Sequence, residues 1–129
     1  MDLTEAEAGY IACLLDTSAS IQIGWHGKSY YPRIEFSSTH RDIIFFLEDN
    51  LPGCGYGASQ GFRFLVTGQH NVLELLIAVS PYLKLKSEQA GLAMEFCKSR
   101  LSRDNRWDKK GYTQREVEIA EELRQLKGG

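Results

Sequence analysis

The 129-residue chain has little that would staple or anchor it. Its three cysteines, Cys13, Cys54 and Cys97, are an odd number, far apart, with no CxxC pair. That argues against a disulfide framework and a zinc site, and favours reduced thiols in a cytosolic setting. No apolar run approaches the roughly 18 residues of a membrane span, and the opening MDLTEAEAGY lacks the basic start of a secretory signal. The expected location is cytoplasmic, organellar or nucleoid-associated, with no membrane partner and no secretion. An excess of positive charge is also missing. The net charge is −2, so the total does not announce a nucleic-acid partner.

What is present is ordinary for a globular protein: 43% hydrophobic and 25% charged residues. The length predicts a single domain over 1–129. The charge is unevenly placed, however. Residues 98–115 carry seven basic side chains against Asp104 and Asp108, whereas residues 1–16 hold Asp2, Glu5, Glu7 and Asp16. A local basic stretch matters more to phosphate binding than the total. Read without further context, such a run is a solvated surface segment.

Thr4 and Glu7 have capping-box spacing and open a helix over about 5–16. Ala8, Ile11, Ala12 and Leu15 share one face of it, and Tyr10, Cys13 and Leu14 add a second apolar side. A helix with two apolar sides is buried on both, or buried on one and paired on the other. Residues 20–26 and 30–37 alternate as a hairpin with one apolar and one polar face. Pro32 within the second run predicts an edge position or a bulge. A helix over 41–50 ends at Pro52-Gly53, and residues 53–57 with 61–67 read as a shorter, glycine-rich hairpin. Helices over 69–79 and 87–101 follow, then a basic loop over about 102–112. A last helix over about 113–126 opens with a second capping box, Thr113 and Glu116. The order αββαββα predicts an α+β domain, with one antiparallel sheet and helices on one face.

The stretch GYIACLLDTSASIQI, residues 9–23, is similar to the LAGLIDADG motif of homing endonucleases, a helix followed by a strand. The resemblance continues through His70-Asn71, through PYLKLK at 81–86 with Gln89-Ala90, and into the tail at 109–126. It implies the LAGLIDADG homing-endonuclease fold, with a saddle-shaped sheet whose polar face lies in the DNA major groove. One motif per chain implies a homodimer paired through the motif helix, on a pseudo-palindromic double-stranded site. Ala8, Ile11, Ala12, Cys13, Leu15 and Asp16 are the expected dimer contacts. The resemblance also implies Mg²⁺ held by an acid at the end of the motif.

Here the chain departs from the family. The nine motif positions fall on Ile11 to Ala19, which puts Ser18 where the metal-binding acid belongs and Cys13 and Ala19 where the motif has glycine. Ala19 would be strained if the turn required positive φ. Asp16 survives but lies roughly 200° away around a helix, so its expected role is structural. Were it a substitute metal ligand, it would act with the backbone of Thr17 after an early helix end. Lys86 matches the family's active-site lysine, and His40 falls near a position that orients solvent. Strand alternation together with the resemblance makes Gln22, His26, Tyr31, Arg33, Glu35 and Ser37 the expected base-reading residues, with Gln60 and Arg63 on the second hairpin. Arg103, Arg106, Lys109 and Lys110 would supply phosphate contacts. Trp25 and Trp107 are expected to pack rather than stack on bases.

These expectations converge on a sequence-specific DNA-binding homodimer of LAGLIDADG descent with cleavage weak or lost. One alternative is an active Mg²⁺-dependent endonuclease making a double-strand break, an enzyme activity against which Ser18 argues. Another is a non-catalytic protein- or RNA-interaction module.

Overall fold

The computed structural model describes residues 1–27, 29–102 and 111–128. Helix α1 (Glu5–Ser18) opens the chain, and β1 (Ala19–His26) and β2 (Ser29–Ser38) form the first hairpin. Helix α2 (Arg41–Asn50) leads to the second hairpin, β3 (Cys54–Ala58) and β4 (Gly61–Thr67). Then come α3 (Gln69–Val79), a short 3₁₀ turn (Ser80–Tyr82), α4 (Ser87–Leu101) and α5 (Gln114–Gly128). The four strands make one antiparallel sheet in the order β1-β2-β4-β3. This is the α+β architecture the element order predicts.

Local chemistry explains most boundaries. The first capping box forms: Glu7 N donates to Thr4 Oγ1 at 3.0 Å, and Thr4 N donates to Glu7 Oε1 at 2.9 Å. Helix α1 runs two residues beyond the expected end. Thr17 Oγ1 donates back to the Cys13 carbonyl at 2.7 Å, so its hydroxyl serves the last turn rather than breaking it. The chain then enters β1 through Ala19 at φ −140° and ψ 165°. The junction is extended, so alanine in place of the motif glycine carries no strain there.

Pro32 sits in β2, which lies inside the sheet rather than at its edge. The residue is nevertheless locally at an edge. Its carbonyl accepts from Gly68 N at 3.3 Å, one residue past the end of β4, so its missing N–H faces the place where the partner strand stops.

One face of the sheet carries Ile21, Ile34, Phe36, Phe64 and Val66, all buried beneath the helices. Ile11 and Leu15 of α1, Leu47 of α2, Leu75 and Leu76 of α3, Phe96 of α4 and Ile119 and Leu123 of α5 complete that core. Each such side chain contributes about 1.5–3 kcal/mol by leaving water. Ala8, Ile11, Ala12 and Leu15 thus spend their regular spacing on this chain's own interior. They are unavailable to a second copy, which corrects the expected dimer contacts. The exposed side of α1 is instead the line of Ala6, Tyr10, Cys13 and Thr17.

Helix α5 packs on β1 and α4. Its fastening is aromatic: the Tyr112 hydroxyl accepts from Tyr30 N at 2.8 Å, and the two rings meet edge to face at 4.7 Å. Phe96 stacks on Tyr112 and Arg100 lies 4.3 Å over the same ring. Trp25 touches Tyr30 edge-on at 4.6 Å but is 57% exposed, so it is a rim residue and not the packed one expected. Trp107 lies outside the described residues.

Cys97 is buried in α4, and burial pushes its thiol up to about 12. At pH 8 only about 1 in 10,000 of its molecules is thiolate, the reactive form. Brief alkylation of the folded protein at pH 8 is expected to label the exposed Cys54 and to spare Cys97 until denaturant is added. Peptide mass spectrometry reads both, and early labelling of Cys97 would contradict this packing.

Candidate nucleic-acid interface and the end of the first helix

The outer face of the sheet follows from register. Residues opposite one another on paired strands share a face, which gives rows of Gly24 with Tyr31, Gln22 with Arg33 and Thr67, and Ser20 with Glu35, Leu65 and Cys54. Ser37, Arg63 and Tyr56 form the next row, and His26 closes the hairpin tip opposite Ser29. The polar residues expected to read bases therefore do lie together on one face. Gln60 sits in the turn between β3 and β4.

Several of their side chains are already engaged within the face. Arg33 Nε donates to Gln22 Oε1 at 2.9 Å, and Gln22 Nε2 donates to Ser20 Oγ at 2.6 Å. Both ends of the Gln22 amide are in use, so Gln22 holds Arg33 rather than presenting a free fork to adenine. The Arg33 guanidinium lies 5.9 Å from the centre of the Tyr31 ring. Tyr31 in turn covers Gly24, where a Cβ would stand 2.5 Å from the ring. A side chain at this position would require the Tyr31 ring to swing aside. Across the sheet, the Tyr56 hydroxyl donates to Glu35 Oε2 at 2.8 Å, and that bond holds the phenol above its usual pKa. Tyr56 is not marked by the sequence pattern, because the glycines on either side hide a period-two strand. The signal was its place two residues from Cys54 on the same face.

The end of α1 divides into two sides. On one, the Asp16 carboxylate accepts three backbone N–H groups, from Lys84 at 2.7 Å, Leu85 at 3.1 Å and Lys86 at 3.0 Å. The PYLKLK stretch thus forms a cradle for Asp16 just before α4. The Lys86 ammonium donates to the Leu15 carbonyl at 2.9 Å and also to the Ala19 carbonyl. Desolvation lowers the Lys86 pKa, and the charge of Asp16 partly opposes that. A cation at a helix C-terminus meets the negative end of the helix dipole. Lys86 therefore caps α1 here instead of reaching outward to a phosphate.

On the other side lies an open cleft of about 290 Å³ lined by Thr17, Ser18, Ala19, Ser20, Glu35 and Ser37. Ser37 Oγ donates to the Ser18 carbonyl at 3.3 Å, tying β2 to the helix end. Asp16, Lys86 and His40 do not line it. His40 precedes α2, exposed, with its N–H donating to Ser38 Oγ at 2.9 Å. Of the four residues expected at one catalytic centre, Asp16 and Lys86 meet on one side of the helix end, Ser18 lines the cleft on the other, and His40 stands apart.

A hard dication takes oxygen ligands, and Mg²⁺ is usually held through one or two carboxylates besides water and substrate phosphates. The cleft offers hydroxyls and a single carboxylate, Glu35, one oxygen of which serves Tyr56, and no cluster of three or more His, Cys, Asp or Glu suited to a metal occurs among the described residues. Asp16 is no substitute ligand, because the helix does not end early and its carboxylate is filled by the three amides. The residues present do not fit the metal that the resemblance implies.

The basic stretch is also weaker than its sequence count. Arg115 is bound to Glu95 through two bonds at 2.7 and 2.9 Å and to Glu122 at 3.2 Å, while Arg100 pairs with Glu116 at 3.4 Å. Arg103, Arg106, Lys109 and Lys110 lie outside the described residues.

No protein-family model and no curated protein matches the chain. Solved structures do match. The chain is similar over 97% of its length to 84% of the homing endonuclease I-CvuI, solved on a DNA target left uncleaved in Mg²⁺, with 20% identity and a TM-score of 0.72. It is similar over 99% of its length to 98% of the homing endonuclease I-TnaI, with 14% identity and a TM-score of 0.70. It is similar over 88% of its length to 43% of the LAGLIDADG meganuclease I-AabMI, solved on uncleaved DNA, with 12% identity and a TM-score of 0.72. The αββαββα arrangement with its one-sided sheet is the LAGLIDADG homing-endonuclease fold.

Proposed function

From that fold we propose that the chain is a sequence-specific double-stranded DNA-binding protein, acting as a homodimer, in which cleavage is weak or lost. The observation that carries the reading is the division at the end of α1. The outer sheet face keeps ordered readers, Arg33 and Glu35 among them, while the acid position of the motif is Ser18 and Asp16 is held by the 84–86 amides. Binding can persist on such a frame when the metal chemistry does not.

Dimerisation through α1 has separate support. Gly9 lies inside the helix, where glycine costs about 1 kcal/mol relative to alanine. A Cβ there would meet nothing within 4 Å, so this chain's own packing does not call for glycine. Close approach by a second helix does call for small residues, and Gly9 lies beside the exposed line of Ala6, Tyr10, Cys13 and Thr17. This chain matches 43% of the length of I-AabMI. Two copies here would make up the same span. The DNA-bound neighbours support double-stranded DNA as the partner.

Sedimentation combined with a duplex-binding titration tests the reading. The wild type is expected to sediment as two chains, and its affinity to fall on the order of a thousandfold between about 50 and 200 mM salt. Gly9→Leu places two leucines at the helix crossing and is expected to weaken dimerisation by about a hundredfold or more, and DNA binding with it, without unfolding the monomer. A wild-type monomer with no DNA affinity would overturn the proposal. Clean metal-dependent double-strand cutting would overturn the loss of cleavage alone.

A further inference from the structure

We infer that Glu35 reads a cytosine amino group in each half-site of the DNA, with Tyr56 as the residue that positions it. This rests on the DNA-binding reading above and goes beyond it by assigning one base and a residue from a different strand. Tyr56 stands on edge strand β3, Glu35 on β2, and β4 runs between them. The tyrosine reaches over that strand to place its hydroxyl 2.8 Å from Glu35 Oε2. Among the described residues, Glu35 Oε1 has no hydrogen-bond partner. A long side chain that would otherwise sample several rotamers is thus fixed with one oxygen committed and one available, on the face formed by Ser20, Glu35 and Leu65.

The chemistry of the duplex selects what that oxygen can meet. An ionised carboxylate only accepts hydrogen bonds. In the major groove the base donors are the amino groups of cytosine and adenine. Adenine places its N7 acceptor beside the amino group, so a carboxylate there meets a like partial charge. Cytosine has no acceptor next to its amino group on its own edge. A carboxylate near phosphates is also costly when it finds no donor, so Glu35 penalises every wrong base as well as rewarding the right one. The hydroxyl of Tyr56 sharpens this by taking one oxygen out of competition and limiting the directions in which Glu35 can swing away. Arg33, two residues along β2, is fixed by Gln22 of β1, so both charged readers on this strand are held from other strands of the sheet.

Selection from a duplex pool randomised across both half-sites, followed by titration of the enriched site and its single-base variants, tests the assignment. Wild-type protein is expected to enrich a motif with cytosine at one symmetric position, preferred by about tenfold or more over other bases. Glu35→Gln is expected to erase the preference at that position and leave the others. Tyr56→Phe is expected to reduce it by about tenfold while the thermal midpoint and the remaining motif stay unchanged, an outcome that a merely structural tyrosine would not give. A Tyr56→Phe motif superimposable on the wild type would overturn the role of Tyr56. Retention of the cytosine by Glu35→Gln would overturn the reader itself. Failure of the wild type to enrich any motif would overturn the DNA-binding reading, and this inference with it.

Discussion

Asp16→Ala is expected to lower the stability of the domain by about 3 kcal/mol. The unfolding midpoint should fall by roughly 10 °C. Three N–H groups converge on this one carboxylate, and hydrogen bonds to a charged acceptor are worth about 1.5–3 kcal/mol each. The sum is discounted because Lys84 and Leu85 are exposed and water can replace the carboxylate at their amides. What water does not replace is the countercharge beside Lys86, whose ammonium is already desolvated. The Lys86 pKa is expected to fall further in the variant, and the cap on the Leu15 and Ala19 carbonyls to loosen. Asp16→Asn keeps one acceptor and should lose about half as much. Thermal unfolding of both variants measures the effect. A shift under about 1 kcal/mol for the alanine variant would show that solvent makes good the three bonds and that Asp16 does not clamp α1 to α4.

Glu116→Ala is expected to cost about 3–5 kcal/mol, because it leaves a charged partner without compensation. Glu116 is 0% exposed and accepts from Ser99 Oγ at 2.5 Å, from Thr113 N at 2.9 Å and from Arg100 at 3.4 Å. It is at once the third residue of a capping box and the anchor between α5 and α4. Its removal strands the half-buried Arg100 guanidinium together with two donors. Urea denaturation gives the total, and hydrogen exchange shows where it falls. Amides of 114–126 should lose protection before those of the sheet, since the apolar packing of Ile119 and Leu123 and the Tyr112 contacts then hold α5 without its polar anchor. Uniform loss of protection would indicate that α5 is not a separable unit.

Much of the fold was legible because its elements carry local signals. The spans of α2, α3 and α4 coincide with those expected from apolar spacing and flanking Pro, Gly and Ser, and both capping boxes form. The polar face of the sheet was legible for the same reason, since alternation has a period of two whatever the tertiary context. The site was less so. Periodicity shows that α1 has two apolar sides but not which is turned inward; the regular set went to the core and the exposed line of Ala6, Tyr10, Cys13 and Thr17 remained. Asp16, Lys86 and Tyr56 take their roles from partners on other elements, and no local pattern encodes such distances. Arg100 and Arg115 count as basic residues in a tally of charge, yet their charges are met by Glu116 and Glu95 across a helix interface. Ser18 needed no structure to be noticed, but the occupation of Asp16 did.

The cradle at the end of α1 joins residues 68 to 70 positions apart. Its partners are made long after Asp16 itself during synthesis. Until Lys86 has left the ribosome, the first helix of the nascent chain has neither its amide clamp nor its lysine cap, and it exposes an apolar face while the core residues of α4 and α5 are also still to come. A product stopped anywhere before that lysine would therefore carry the whole recognisable motif without the means to close its end.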